Sequence, residues 1–216
     1  MARLTIEHDS AYDDATTRTR RRSIALRLDG KAWLRVEPEA FGELGVAAGD
    51  EIDEARRAAV EEALGRVRAR LFVVRSLAVK MQSTVEIEKK LAAREVPPDV
   101  VREAIERVKG YGYLDDASLA GQLARGMRSR GYGRRRAEQK LRSRGLPAPL
   151  AEAALDEAYG GRDEVALARE ALGRRAVAGD ADRRRAIAFL ARRGFSATAA
   201  WKAVREAAED RPPGGV

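Results

Sequence analysis

The chain has 216 residues, of which 44% are apolar and 35% charged, and 42 Lys and Arg against 34 Asp and Glu give a formal net charge of +8. It contains no Cys and only one histidine, His8, which excludes disulfide frameworks, thiolate metal sites, cysteine nucleophiles and Ser-His triads. No apolar run approaches the roughly 20 residues of a membrane span, and the first residues lack the apolar core of a signal peptide. The sequence therefore predicts a basic, cytoplasmic protein that is not an enzyme and needs no cofactor or metal.

Composition divides the chain into six segments. Residues 1–20 are polar and aperiodic and predict a disordered arm. Residues 21–50 carry the β signal and predict an N-terminal β-hairpin extension. Helical composition follows in three stretches, 51–110, 111–160 and 161–208, and residues 209–216 predict a disordered tail.

The predicted hairpin lies at the start of the ordered chain. Ser23–Leu28 and Lys31–Val36 flank Asp29-Gly30, a dipeptide that suits a two-residue type I′ turn. A hairpin with this turn places Leu26 opposite Trp33, and we expect a short helical turn to follow at Pro38. Since a lone hairpin is only marginally stable, it must pack on another part of the chain.

The helical part contains an internal repeat. Segments aligned on Leu91, Leu141 and Leu190 share the turn after that leucine and the apolar positions of the next helix. This pattern predicts three copies of a three-helix unit of about 50 residues, stacked into an elongated, curved, mainly α array. The alternative is a chance alignment of helices rich in Ala, Leu and Arg. The predicted helices span 66–80, 84–94 and 98–108 in the first copy, 116–130, 133–144 and 147–159 in the second, and 163–175, 180–193 and 196–208 in the third.

Positive charge is concentrated in the second repeat. Residues 125–144 hold nine cations and one acid, Glu138, so this stretch alone carries a charge equal to that of the whole chain. Such a patch favours binding to a polyanion or to an acidic protein groove, and the alternative is a solvated helical face.

Three consecutive arginines, Arg134–Arg136, begin the second helix of repeat two, and Arg183–Arg185 stand at the equivalent positions of repeat three. Cations at a helix N-terminus oppose the macrodipole, so their recurrence favours a partner that compensates the cost. The predicted binding surface, called the basic ridge below, comprises Arg125, Arg128, Arg130, Arg134, Arg135, Arg136, Lys140, Arg142, Arg144, Arg183, Arg184 and Arg185.

Two glycine- and tyrosine-containing segments connect the helices. In the first, residues 110–116, Asp115 or Asp116 can cap the following helix, whereas Tyr113 and Leu114 are expected to pack beneath the junction. The adjacent aspartates lack a nearby third ligand, so a cap is preferred to a metal site. In the second, residues 131–133, Tyr132 can stack on a base or fill a protein pocket, but inward packing at a hinge is preferred.

Both tryptophans, Trp33 and Trp201, are expected in the core of the hairpin and of the last helix respectively. Neither Gly-Tyr-Gly segment follows a strand, and no Gly-Lys-Ser/Thr is present, so a phosphate-binding nucleotide loop is not predicted.

The motifs of the second repeat resemble those of the RecX family of recombination regulators. The resemblance is carried by Gly112-Tyr113-Leu114-Asp115-Asp116, Leu119-Ala120, Arg130-Gly131-Tyr132-Gly133, Arg136, Leu141 and Arg144-Gly145-Leu146. It is strongest over residues 110–147 and extends, as a pattern of three-helix repeats, over about 66–208. It implies structural roles for Tyr113, Leu114, Asp115, Asp116, Gly131, Tyr132, Gly133 and Gly145.

The resemblance also implies a function. RecX-like proteins bind the RecA–single-stranded-DNA filament along its groove and suppress the ATPase, strand-exchange and co-protease activities of RecA, which affects recombination, DNA repair and the SOS response. The chain is thus expected to be a monomeric partner of the RecA filament that contacts single-stranded DNA directly or through RecA. Two alternatives stay open: a helical nucleic-acid-binding protein that acts independently of RecA, and an adaptor that binds no nucleic acid.

Overall fold

The computed structural model describes the backbone of residues 1–14, 19–175 and 177–210. Within these ranges it describes the side chains of all residues except 8–22. The chain forms two compact units. The first unit contains Met1–Val79 and Lys89–Tyr113, and the second contains Lys80–Glu88 and Leu114–Val216.

The first unit begins with an antiparallel sheet in the order β3-β2-β1-β4. Its strands are β1 (Ala2–Asp14), β2 (Thr19–Leu28), β3 (Lys31–Val36) and β4 (Glu51–Ile52). The predicted disordered arm over residues 1–20 is therefore wrong for residues 2–14, which pair with β2 and β4, and for residues 19–20, which belong to β2. The physical reason is the alternation of Leu4 and Ile6 with polar residues: Leu4 is fully buried, and Ile6 packs against the same core.

The β2–β3 hairpin has the predicted turn but a different register. Leu28 lies opposite Lys31, as expected, but a β-bulge follows, and Leu26 pairs with Leu34 instead of Trp33. This one-residue shift places Leu34 and Val36 opposite Leu26 and Ile24, so four apolar side chains share one face of the sheet. The predicted register is therefore wrong beyond the bulge, and the observed register gives the sheet a continuous apolar face.

Two helices complete the core of the sheet. They are α1 (Pro38–Phe41) and α2 (Glu54–Val79), and the latter begins 12 residues before the predicted Arg66. Val60 and Leu64 of α2 are buried against the sheet, and the indole N–H of Trp33 donates to Glu61 at 2.6 Å. Trp33 is half-buried at the edge of this core.

The remaining helices follow the predicted repeat. They are α3 (Thr84–Ala92), α4 (Pro98–Gly110), α5 (Asp116–Ser129), α6 (Arg134–Ser143), α7 (Ala148–Tyr159), α8 (Glu164–Leu172), α9 (Asp180–Arg192) and α10 (Ala197–Glu209). Helices α5–α7 enclose one apolar core and α8–α10 another. The aligned leucines Leu91, Leu141 and Leu190 are all fully buried, which confirms tandem three-helix repeats.

The same contact joins successive repeats within the second unit. At the first junction Arg144, in the α6–α7 turn, donates to the carbonyl of Met81 at 2.9 Å and to the Glu86 carboxylate at 2.7 and 2.8 Å. The hydroxyl of Ser83 donates to the carbonyl of Arg144 at 2.5 Å. Gly145 lies so close to α3 that a Cβ there would come within 2.8 Å of Val85.

The second junction repeats this arrangement 49 or 50 residues later. Arg193, in the α9–α10 turn, donates to the carbonyls of Arg130 and Gly131, and the Gly133 N–H donates to the carbonyl of Arg193 at 2.9 Å. A Cβ on Gly194 would lie 2.5 Å from the Arg136 nitrogen. An arginine-glycine turn of one repeat therefore docks on the loop that precedes the second helix of the repeat before it.

We expect Gly133→Ala to destabilise the second unit by about 1–3 kcal/mol, because the new Cβ would lie 2.6 Å from the Gly194 carbonyl oxygen and overpack the junction. Thermal and urea unfolding measure the change. Gly126→Ala in α5 is the matched control: its Cβ meets only the flexible end of Arg130, at 3.7 Å, and we expect it to stabilise the helix. Equal stability of the Gly133 variant and wild type would contradict the close approach.

Acid should weaken the first junction. Partial burial raises the pKa of the Glu86 carboxyl, but the hydrogen bonds and charge of Arg144 and the Ser83 N–H outweigh this and bring the pKa below its ordinary 4.5. Ionised Glu86 therefore stabilises the fold above about pH 4.5, and this contribution is lost as the pH falls through the lower folded-state pKa.

Glu86→Gln should accordingly lower the free energy of unfolding by roughly 1–3 kcal/mol at pH 7, with a smaller difference from wild type at pH 3. Urea unfolding across this range provides the measurement. Glu88→Gln, an exposed neighbour on the same helix, is the control that should change little. A difference that does not vary with pH would argue against a stabilising Glu86 carboxylate.

Candidate functional site

The arginines at the start of α6 have different surroundings. Gly133 is the N-cap residue and provides no side-chain cap, and the first turn contains no acid, so nothing in the first turn itself compensates the three cations that face the helix dipole. Arg134 pairs with Asp156 at 2.7 Å, and Arg136 donates to the Gln139 side chain at 3.1 Å. Arg135 is exposed, and its side chain has no hydrogen bond or ion pair within the described residues.

The equivalent arginines of α9 lie deeper in their helix. Because α9 begins at Asp180, Arg183–Arg185 occupy its second turn, and Asp180 and Asp182 occupy the first, where they complement the dipole. Arg183 donates to the Val177 carbonyl and Arg185 to Asp182. The unfavourable cation–dipole interaction expected in both repeats therefore applies to α6 only. Arg184 is exposed, and the described part of the chain provides no partner for its side chain.

Several ridge residues contribute to packing. Arg128 is half-buried and donates to the Ala158 carbonyl at 2.8 Å, and Arg144 holds the first repeat junction with a side chain only 18% exposed. Arg125 forms an exposed ion pair with Glu157 at 2.8 Å. Arg130 contacts the Met127 sulfur at 3.7 Å. The structure therefore divides the twelve cations between those that hold helices together and those that remain accessible.

The accessible cations belong mainly to α6 and α9. Lys140 is exposed and has no side-chain partner among the described residues. Arg142 has a 3.7 Å ion pair with Glu138 but keeps 75% of its side-chain surface, and Arg185 keeps 78%. Exposed pairs of this kind contribute little to stability, so their cations stay free to meet an anionic partner.

The two aspartates of the 110–116 segment have separate roles. Asp115 caps α5 by accepting the Ser118 N–H at 2.9 Å, and the Asp116 carboxylate accepts the Thr84 N–H, also at 2.9 Å. Leu114 is buried, as expected, but Tyr113 is 66% exposed and contacts Tyr111 edge to face. The prediction that Tyr113 packs beneath the junction is wrong, since the two tyrosine rings shield each other at the surface.

Trp201 also differs from expectation. It is 54% exposed on α10, with the Arg205 guanidinium 5.1 Å from its ring centroid, and so is not a core residue. The core of repeat three is filled by smaller side chains of the same helix, such as Ala200 and Val204.

The second glycine-flanked tyrosine packs inward, as preferred from the sequence. Tyr132 is half-buried against the α5–α7 core, and the Arg193 guanidinium lies 4.9 Å from its ring centroid. The Tyr159 hydroxyl donates to the Tyr132 carbonyl at 3.0 Å. Burial raises the pKa of Tyr159 to about 12, which keeps this hydroxyl protonated near neutral pH.

Arg193 is a residue of this region that the predicted site omitted. It connects repeats two and three, and it lies beside the Gly131–Gly133 loop. Its alignment with Arg144, 49 residues earlier in an identical Arg-Gly turn, is the sequence signal that could have identified it.

Within the described residues, no cluster of three or more His, Asp or Glu side chains could hold a metal ion. None of the described helices is long and apolar enough to cross a bilayer.

Comparison with known proteins identifies the repeats. The model of the first three-helix domain of RecX matches residues 69–107, and that of the second three-helix domain of RecX matches residues 115–155. Among solved structures, a crystal structure of regulatory protein RecX aligns with a TM-score of 0.65 at 21% identity, over 98% of this chain and 100% of the other. RecX from Lactobacillus salivarius aligns with a TM-score of 0.56 at 17% identity, over 68% and 98%. These similarities show the fold.

Curated relatives share a higher sequence identity with this chain than these two solved structures do. Regulatory protein RecX of Deinococcus radiodurans is 39% identical over 145 residues, which cover 66% of this chain and 69% of the relative. Regulatory protein RecX of Thermobifida fusca is 32% identical over 148 residues, which cover 66% of this chain and 80% of the relative. Both family models fall on the helical repeats described above, and together with these long alignments they show that the chain belongs to the RecX family of regulatory proteins.

Proposed function

We propose that the protein regulates recombination by binding the RecA–single-stranded-DNA filament and lowering its ATPase, strand-exchange and co-protease activities. Family membership supports a regulatory role. The observation that carries the binding proposal is the set of accessible cations on α6 and α9, of which Arg135, Lys140 and Arg184 have no side-chain partner among the described residues.

These cations suit a large anionic partner. Both RecA-bound DNA and acidic protein surfaces offer extended negative charge, and long-range attraction to either accelerates docking. The arginines that hold the repeat junctions keep α6 and α9 on packed cores, so the accessible charges are displayed on rigid elements. Binding that depends on such charges weakens as salt concentration rises.

Arg135→Glu combined with Arg184→Glu should weaken inhibition of RecA by at least about fivefold, because it reverses two accessible charges without removing a packing contact. The assay is RecA ATP hydrolysis on single-stranded DNA, with this protein titrated below one copy per RecA. Melting temperature should stay within a few degrees of wild type. Arg102→Glu provides a charge-matched control, since Arg102 is exposed on α4 and has no side-chain partner among the described residues.

Binding to free single-stranded DNA is followed in parallel. Inhibition by the wild type at concentrations that leave free DNA unsaturated supports filament regulation. Inhibition only when the DNA is coated would instead indicate a nucleic-acid-binding protein that acts independently of RecA. Full inhibition by the double variant would rule out α6 and α9 as the binding surface.

A further inference from the structure

A cleft of about 510 Å³ opens beside the Gly131–Gly133 loop, within the second unit. The end of α5 forms one side, through Arg128 and Arg130. Arg162, from the α7–α8 connection, and Leu167 of α8 form the other, and Arg193 completes the cleft from the second repeat junction. Its volume falls within the range of roughly 300–1,000 Å³ that is usual for ligand sites.

The cleft has a strong excess of positive charge. Four arginines line it against a single acid, Glu170, and none of the four forms an ion pair with a described carboxylate. Bringing four guanidinium groups together costs electrostatic free energy, which a bound anion would offset. The charge excess therefore points to an anionic ligand.

Two of these arginines are fixed and two remain adaptable. Arg128 is held by the Ala158 carbonyl, and Arg193 by the carbonyls of Arg130 and Gly131. Arg130 and Arg162 are exposed, and within the described residues the Arg162 side chain has no partner. Fixed donors give the cleft a defined geometry, and mobile ones can close on a ligand.

The convergence of several guanidinium groups suits a phosphate better than a carboxylate. One guanidinium satisfies both oxygens of a carboxylate in a bidentate pair, whereas the oxygens of a phosphate accept hydrogen bonds from several donors at once. Apolar surface from Leu167, Ala171 and Tyr132 lies beside the arginines. This surface provides contact for the sugar or base that accompanies a phosphate in a nucleotide.

Cleft size and shape favour a single strand over a duplex. Double-stranded DNA is stiff and keeps its bases inside, so it cannot place a nucleotide in a recess between helices. A flexible single strand can turn one nucleotide toward the protein.

We infer that this cleft binds a nucleotide unit of single-stranded nucleic acid, with the phosphate on the four arginines and the sugar or base against Leu167 and Ala171. This inference deepens the proposed function, because it assigns the direct contact with DNA to one site beside the junction of repeats two and three. Arg162 and Arg193, which lie outside the predicted basic ridge, become binding residues of this site.

Fluorescence anisotropy with a labelled thymidine oligonucleotide tests the inference on the full chain. Arg130→Ala combined with Arg162→Ala should weaken binding roughly tenfold and make the salt dependence less steep, since two phosphate contacts are lost. Both side chains are exposed, so the fold should be retained, and the melting temperature checks this. Arg102→Ala, an exposed arginine outside the cleft, should leave the affinity unchanged.

A second variant tests the sign of the electrostatic effect. Glu170→Gln removes the only acid in the lining and should tighten oligonucleotide binding a few-fold. Unchanged affinity in both the double alanine variant and the Glu170 variant would overturn the inference.

Competitors identify the anion. Displacement of the oligonucleotide by a mononucleotide, or by inorganic phosphate at higher concentration, supports a phosphate site and shows whether base and sugar contribute. Polyglutamate that competes as well as the oligonucleotide, with the same loss in the double alanine variant, would assign the cleft to acidic protein and overturn the inference.

RecA ATPase assays on the same variants separate this inference from the proposed function. A wild-type protein that binds the oligonucleotide through the cleft but does not inhibit RecA would sustain the site and overturn the function. A wild-type protein that inhibits RecA, together with cleft variants that bind the oligonucleotide as tightly as the wild type, would sustain the function and overturn the site.

Discussion

The second unit depends on a contact that occurs twice, in which an arginine-glycine turn docks on the loop before the second helix of the preceding repeat. The arginine and the glycine have complementary roles. Arg144 and Arg193 donate to loop carbonyls that no helix hydrogen bond satisfies, and the adjacent glycines allow the backbones to approach closely. Neither an apolar residue nor a side chain at the glycine would preserve this geometry. Short repeats with small cores thus gain a polar, directional connection to their neighbours.

This contact also determines what the positive charge of the chain can do. Arg128, Arg144 and Arg193 direct their guanidinium groups to carbonyls inside the protein, so they contribute to packing. Arg135 and Arg184 lie on helices that these contacts support, and they face solvent. A count of cations in the sequence combines the two groups, although only the second is free of packing contacts within the described residues.

The repeated elements were predictable from sequence because they obey local rules. The spacing of apolar residues identified the helices of repeats two and three to within about three residues at most ends, and Leu91, Leu141 and Leu190 are buried as the alignment predicts. The capping role of Asp115 or Asp116 was also recognisable, although sequence could not decide between two adjacent carboxylates. Only the contact of Asp116 with the Thr84 N–H, 32 residues away, assigns the cap to Asp115.

The features that sequence missed depend on contacts between distant segments. Strand β1 has few residues that predict a strand from sequence, and it is recognised as a strand by its pairing with β2. The bulge near Trp33 places the apolar residues of β2 and β3 on one face of the sheet. The type of turn alone does not predict this shift in register. Trp201 is exposed because smaller residues already fill the adjacent core, and Tyr113 lies at the surface beside the ring of Tyr111. Their aromatic side chains led to the wrong expectation that Tyr113 and Trp201 are buried.

Glu95 occupies the place in the first repeat that Gly145 and Gly194 occupy in the next two, and it has the same left-handed backbone, with a φ of 58°. At the two glycines the preceding repeat approaches to where a Cβ would stand, so a glutamate in that place excludes such a neighbour. The first repeat can therefore take a neighbour on the loop before its second helix but not on its own turn at Glu95. The third repeat of another molecule therefore cannot dock on the first repeat through this contact, because Glu95 stands where the contact needs a glycine.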